Sequence, residues 1–189
     1  MEGKNRNVLS VEDLSIRIKL DEGTLTPVRG VSFQIRQGET MGLVGESGCG
    51  KSLTSKAILG INTPNCKTTG KILFTEDGKT QDLLKLKFGG AEIRKIRGKD
   101  ISMIFQEPMT SFSPLFTVGS QIAESVRIHT GKKKKEAREI VVETMKKVGI
   151  SNPEKRFDQY PHEFSGGMLQ RALIAMALVC SPRLLIADE

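Results

Sequence analysis

Eight consecutive residues, Gly45-Glu46-Ser47-Gly48-Cys49-Gly50-Lys51-Ser52, combine three glycines, a lysine and two hydroxyls in a spacing suited to holding phosphate. Gly45, Gly48 and Gly50 let the backbone turn tightly and bring successive N–H groups close to anionic oxygens. A helix starting at the end of this stretch adds unpaired amides and the positive end of its dipole. Lys51 supplies a point charge for β- and γ-phosphates, and the Ser52 hydroxyl is a hard ligand suited to Mg²⁺. Glu46, Ser47 and Cys49 offer their backbone to the same loop, and Leu53 carries it into the helix. The apolar run Thr40–Val44 reads as a buried strand before the loop, and a helical pattern follows it, which is the setting a phosphate-binding P-loop requires.

Three further stretches carry chemistry. Phe164-Ser165-Gly166-Gly167-Met168-Leu169-Gln170-Arg171 sets a serine and two glycines at the start of a helix, a second place where unpaired amides can meet an anion. Ile104-Phe105-Gln106 puts a side-chain amide directly after an apolar strand. Leu184-Leu185-Ile186-Ala187-Asp188-Glu189 is an apolar strand running into two carboxylates, with Asp188 lying 23 residues after Ser165. In this order and at these separations the sequence resembles the ABC transporter ATPase family over essentially the whole chain. Ser165–Gln170 looks like that family's signature motif, Gln106 like its Q-loop glutamine, and Leu184–Glu189 like its Walker B strand.

The resemblance implies ATP and Mg²⁺ as cofactors. It assigns Ser52, Gln106 and Asp188 to the Mg²⁺, Glu189 to the attacking water, and Gln106 to sensing the γ-phosphate. It also implies that Ser165, Gly166, Gly167, Met168 and Gln170 act in trans, closing over ATP held by the P-loop of a second ATP-binding subunit. Transmembrane permease subunits, and indirectly an extracytoplasmic binding protein, are the implied partners; nucleic acid is not. Two stretches, Ile104–Pro114 and Tyr160–Met168, look like the peptide and nickel import branch. Branch members usually carry Leu-Asn where Phe112-Ser113 stands here, and a basic residue at the position of Leu169. The family also stacks adenine on an aromatic from an early strand. This chain has no aromatic between Val11 and Val31, and the best register places Ile18 there, with Val28 lining the pocket. A nickel or other small-solute importer, or a soluble ABC ATPase acting on nucleic acid or ribosomes, are the competing readings.

These residues need a scaffold. Leu14, Ile16, Ile18 and Leu20 alternate with polar residues, as do Val31, Phe33 and Ile35, so both segments read as strands. Further strands are expected at Lys71–Phe74, Asp100–Phe105 and Leu184–Ala187, and helices at Gly50–Ile61, Glu136–Val148 and Gly167–Val179. Gly149 stands as a C-terminal stop, and Asn152-Pro153 as an N-cap with proline in the first turn. The fold class is therefore α/β: a P-loop NTPase-type core with a mixed antiparallel and parallel sheet, and an inserted, mainly helical sub-domain. Residues 1–106 and 164–189 are assigned to the core and 107–163 to the insert. Met109, Phe112, Leu115 and Phe116, in a proline-punctuated stretch of the insert, are expected to dock a short cytoplasmic helix of the permease.

Composition sets the limits. With 189 residues, 38% hydrophobic and 27% charged, the sequence is that of an ordinary globular protein. Its longest strongly apolar stretch, Ala172–Cys180, falls far short of the roughly 20 residues needed to span a bilayer. The expected location is cytoplasmic, peripheral on the inner face of the membrane. Cys49, Cys66 and Cys180 show neither a disulfide framework nor metal-ligand spacing. The net charge of +7 is partly concentrated in Lys132–Lys135, read as a solvated helix start. His162 is read as structural. The sequence stops at Glu189, before the family's D-loop and switch histidine, so slow hydrolysis or none is expected of this 189-residue form.

Overall fold

The computed structural model describes residues 6–106 and 111–188. The chain forms two compact units, one extending to Arg94 and one beginning at Lys95. The first is built on an antiparallel sheet of β1 (Asn7–Leu20), β2 (Gly23–Arg36), β3 (Cys66–Glu76) and β4 (Lys79–Asp82), in the order β2-β1-β3-β4. Helix α1 (Lys51–Leu59) lies between β2 and β3 in sequence, and α2 (Ala91–Ile96) follows β4.

An irregularity in β1 fixes which side chains face inward. Leu9 and Val11 are buried, and then the phase slips by one residue so that Leu14 and Ile16 are buried. The slip occurs at Asp13, whose φ is 48° and whose amide donates to the Ser32 hydroxyl at 2.8 Å. Opposite it stands Gly70, where a Cβ would come within 2.5 Å of the Asp13 carbonyl oxygen, so only glycine lets β3 pass this bulge. Had the alternation run unbroken from Leu9, Ile16 and Ile18 would point to the other face.

Thr40–Val44 departs from the expected strand. It carries no ladder among the described residues, and Leu43 and Val44 are 42% and 93% exposed. A run this apolar reads as a central strand, but central strands exist only through pairing on their flanks. None of the described strands pairs with it.

The second unit joins a parallel pair, β5 (Ile101–Ile104) and β6 (Leu184–Ala187), to a helical body. Helices α3 (Val118–Thr130) and α4 (Lys134–Lys147) present apolar faces at helical spacing: Val118, Ile122 and Val126 on one, Ala137, Val141 and Met145 on the other. Gly149, at φ 80°, follows the end of α4 as expected. Asn152 does precede α5 (Pro153–Phe157), but in the left-handed conformation and without a side-chain capping bond. Leu169, Ala172 and Leu173 of α6 (Gly166–Leu178) enter the same core as α3 and α4. The helical body and the helix behind Ser165 therefore share one packed core. Arg138 ties α4 to the residue after α5 with two bonds to the Asp158 carboxylate, at 2.7 and 2.6 Å.

Candidate functional site

The loop Gly45–Gly50 runs over the surface into α1. Gly48 and Gly50 both have positive φ, 81° and 97°. Left-handed residues placed at intervals in a turn can aim successive backbone amides toward a common concavity that suits an anion. At Gly50 a Cβ would stand 2.7 Å from Val28 Cγ2 and 3.2 Å from the Pro27 carbonyl oxygen, so the loop is pressed against β2 and only glycine fits. At Gly45 a Cβ would meet the Cys49 sulfur at 2.7 Å. The Lys51 ammonium reaches back over the loop and donates to the carbonyls of Gly45 at 2.7 Å and Glu46 at 2.9 Å. Helix α1 begins with no side-chain cap, and Thr54 donates both its amide and its hydroxyl to the Gly50 carbonyl, each at 2.9 Å. The result is a loop already wound around a cation, with a helix N-terminus behind it. Ser52 and Leu53 lie half-buried in the first turn, while Glu46, Ser47 and Cys49 are exposed.

On the same unit, Val28 is buried opposite Ile16, and Ile18 is half-buried opposite Leu25. Leu25 was not among the expected residues. An extra residue in β2 between these two pairs shifts the register, so counting along the strand from Val28 misses the partner of Ile18. Its only signal in the sequence is an aliphatic residue just past the Asp21-Glu22 turn.

In the second unit, β5 and β6 pair in parallel with Ile104 beside Ala187, and the Asp188 amide donates to the Ile104 carbonyl at 3.1 Å. Gln106 and Asp188 thus leave neighbouring strands at the same carboxyl end, where ligand chemistry collects in open α/β sheets. Glu189 lies outside the described residues. At the start of α6, the Ser165 hydroxyl caps the helix by accepting from the Met168 amide at 3.4 Å. Gly166 and Gly167 are exposed, and a Cβ on either would meet nothing within 4 Å. Met168 packs on the helical core and Gln170 faces outward.

The apolar docking set is corrected in part. Phe112 is 4% exposed and belongs to the buried helical core, because an aromatic ring beside an apolar core gains more from burial than from water. Leu115 and Phe116 do stand out, at 78% and 60% exposed. Met109 falls outside the described residues. His162 is exposed and stacks on Tyr160 with ring centroids 5.7 Å apart. Lys132–Lys135 are exposed around the first turn of α4.

The pattern of the ABC transporter family matches residues 28–189. The chain belongs to that family. It is 52% identical over 184 residues to the dipeptide transport ATP-binding protein DppD of Bacillus subtilis, covering 96% of this chain and 53% of that protein. It is 49% identical over 184 residues to the oligopeptide transport ATP-binding protein OppD of the same organism, covering 96% and 50%. The chain therefore spans about half the length of the curated relatives it matches. Its fold resembles the dimeric post-hydrolysis structure of the ATP-binding cassette MJ0796 bound to ADP and Pi, with TM-score 0.81 at 24% identity over 96% of this chain and 73% of that one. It also resembles cbiO1 of Clostridium perfringens, part of an ABC transporter complex, with TM-score 0.71 at 28% identity over 97% and 65%.

Proposed function

We propose that this chain is the nucleotide-binding portion of an ATPase subunit that drives peptide import, with Gly45–Ser52 holding the phosphates of Mg-ATP. The observation that carries this is the loop closed around the Lys51 ammonium and pressed against β2 at Gly50. Such a loop presents amides and a positive charge together, the pair of features a triphosphate needs. Ser52 supplies a hard oxygen of the kind Mg²⁺ prefers, and bound Mg²⁺ would offset the charge on the phosphates; Asp188 is assigned to the same ion by family resemblance alone. Gln106 and Glu189 are assigned to the γ-phosphate and the attacking water by family resemblance. Peptides are favoured as cargo over nickel because the similar proteins named above are dipeptide and oligopeptide transport proteins.

A second ATP-binding subunit is the reading that Gly166 and Gly167 support. Neither is required by this chain's own packing, yet the pair loosens a helix start, which argues for close approach by something from outside. Closure of two such subunits over ATP, and reopening after hydrolysis, would be the stroke delivered to the permease. Leu115 and Phe116 are the exposed apolar residues best placed to receive the permease, on a segment anchored through Phe112. Among the described residues no helix is long and apolar enough to cross a membrane.

Calorimetric titration with Mg-ATP tests the reading. Saturable binding is expected for the parent chain, and Lys51→Ala should weaken it roughly 100-fold, since charge-assisted bonds to phosphate are worth about 1.5–3 kcal/mol. Equal affinity in the two proteins would remove the loop from consideration.

A further inference from the structure

Helices α3 and α4 meet at a turn whose chemistry the nucleotide reading does not use. Gly131, left-handed at φ 68°, ends α3, and its amide donates to the Arg127 carbonyl at 3.0 Å. Lys132 and Lys133 cross the turn, and Lys134 and Lys135 open α4. Arg127 and all four lysines are exposed. Between residues 127 and 136 these five cations meet a single acid, Glu136, whose carboxylate accepts from the Lys133 amide at 3.2 Å. None of the five cationic groups has an ion pair or a hydrogen bond among the described residues. Ile128 stands beside them at 68% exposed, because the buried face of α3 is carried by Val118, Ile122 and Val126. The fold itself gains nothing from this arrangement. A helix N-terminus carries partial positive charge, which favours acids and opposes lysines, and the crowded ammoniums repel one another.

We propose that Arg127, Ile128 and Lys132–Lys135 form a contact surface for an anionic phospholipid bilayer. Clustered lysines are drawn to a negatively charged leaflet, and each adds to the attraction while it stays within a Debye length of the surface. Their long stems let separate ammoniums reach separate headgroup phosphates. Ile128 would enter the boundary between headgroups and acyl chains, as apolar residues of interfacial helices do. Nucleic acid fits the patch less well. Single strands are held by stacking bases on aromatic rings, and residues 127–138 include no Phe, Tyr or Trp. The inference goes beyond the nucleotide reading and uses no residue of the P-loop; the import reading supplies only the bilayer beside which the subunit works. Contact through this turn would hold the helical body at the membrane independently of any protein partner.

Co-sedimentation of the intact chain with vesicles of phosphatidylcholine, alone or with about 30% phosphatidylglycerol, tests this. Partition onto the anionic vesicles should exceed that onto neutral ones at least about tenfold, and should fall steeply as salt rises from about 0.1 to 0.5 M. Replacing Lys132, Lys133, Lys134 and Lys135 together by Gln should remove at least about nine-tenths of the anionic partition. The same four positions changed to Arg should keep it. Ile128→Ser should weaken it by a smaller factor, about threefold. The Gln variant should melt no lower than the parent, since its lysines opposed the helix dipole, and should bind Mg-ATP with parental affinity. Equal partition onto neutral and anionic vesicles would overturn the proposal, as would a Gln variant that binds anionic vesicles like the parent. Duplex RNA at equal phosphate concentration should leave the chain on the vesicles; release by RNA would assign the patch to nucleic acid and overturn the lipid reading. Each of these failures leaves Mg-ATP binding, and so the nucleotide reading, standing.

Discussion

Two pairs of glycines serve the two anion-ready helix starts, and they differ in what requires them. Gly50 is fixed by its own surroundings, where a Cβ would meet Val28 and the Pro27 carbonyl and φ is 97°, while a Cβ at Gly45 would press on the Cys49 sulfur at 2.7 Å. Gly166 and Gly167 face open space at the start of α6, with no positive φ. Glycine inside a helix costs stability relative to alanine, so this second pair is a local loss that the chain's own fold does not recover. On the proposed reading, the first site is shaped for a ligand this chain holds, and the second is kept bare for a ligand brought to it.

That contrast can be broken most directly at Gly50. Gly50→Ala should cost about 1–3 kcal/mol through the left-handed backbone alone. It should also weaken Mg-ATP binding at least roughly tenfold, because the amides it displaces are among those that would meet phosphate. Chemical denaturation and calorimetry on the same preparation read both effects. A variant with parental stability and affinity would show that the loop is not as tightly set against β2 as described.

Gly167→Ala sharpens the comparison from the other side. With space around it, alanine should stabilise α6 by about 0.5–1 kcal/mol, a rise in Tm of about 1–4 °C at this chain length. Nucleotide affinity of the single chain should not change. A loss of stability would mean that Gly167 answers to a packing constraint inside the chain after all.

The smallest effect concerns the helical body that carries the second glycine pair. The Arg138 hydrogen bond holds the Asp158 carboxyl below its ordinary range, and the pair is largely exposed. Arg138→Ala should therefore cost only about 0.2–1 kcal/mol, as for other exposed ion pairs. Because the folded-state value is depressed, the contribution is fully present above the unfolded carboxyl's pKa, about 3.9, and is lost as pH falls through the lower folded value. Urea unfolding at neutral pH and below about pH 3 should show the difference between parent and variant shrinking with acid.

What could be read from the sequence was local. The P-loop, the Ser165 cap, and the ends of β5 and β6 each announce themselves within a few residues, because turn chemistry, capping and a strand meeting a polar residue are short-range events. The parallel pairing of β5 with β6, which sets Gln106 beside Asp188, was implied only through the family resemblance. What escaped depended on distant partners. Thr40–Val44 has a central strand's composition, but composition cannot supply a neighbour to pair with. Phe112 looks like an exposed aromatic among prolines, and only the arrival of α3 and α6 decides that it is buried. Leu25 is hidden by one extra residue in β2, and Ile18 would face the wrong way without the bulge at Asp13.

On the proposed reading, the anion site at Ser165–Gly167 serves a nucleotide held by another copy. Sedimentation velocity with Mg²⁺ and a slowly hydrolysed ATP analogue tests it, comparing the parent chain with Gly167→Arg, a substitution into open space. The account predicts that both proteins bind the analogue with equal affinity, that the parent shifts to a dimer as it binds, and that Gly167→Arg remains a monomer. A Gly167→Arg monomer that loses nucleotide affinity would place both anion sites on one nucleotide in one chain and contradict the account.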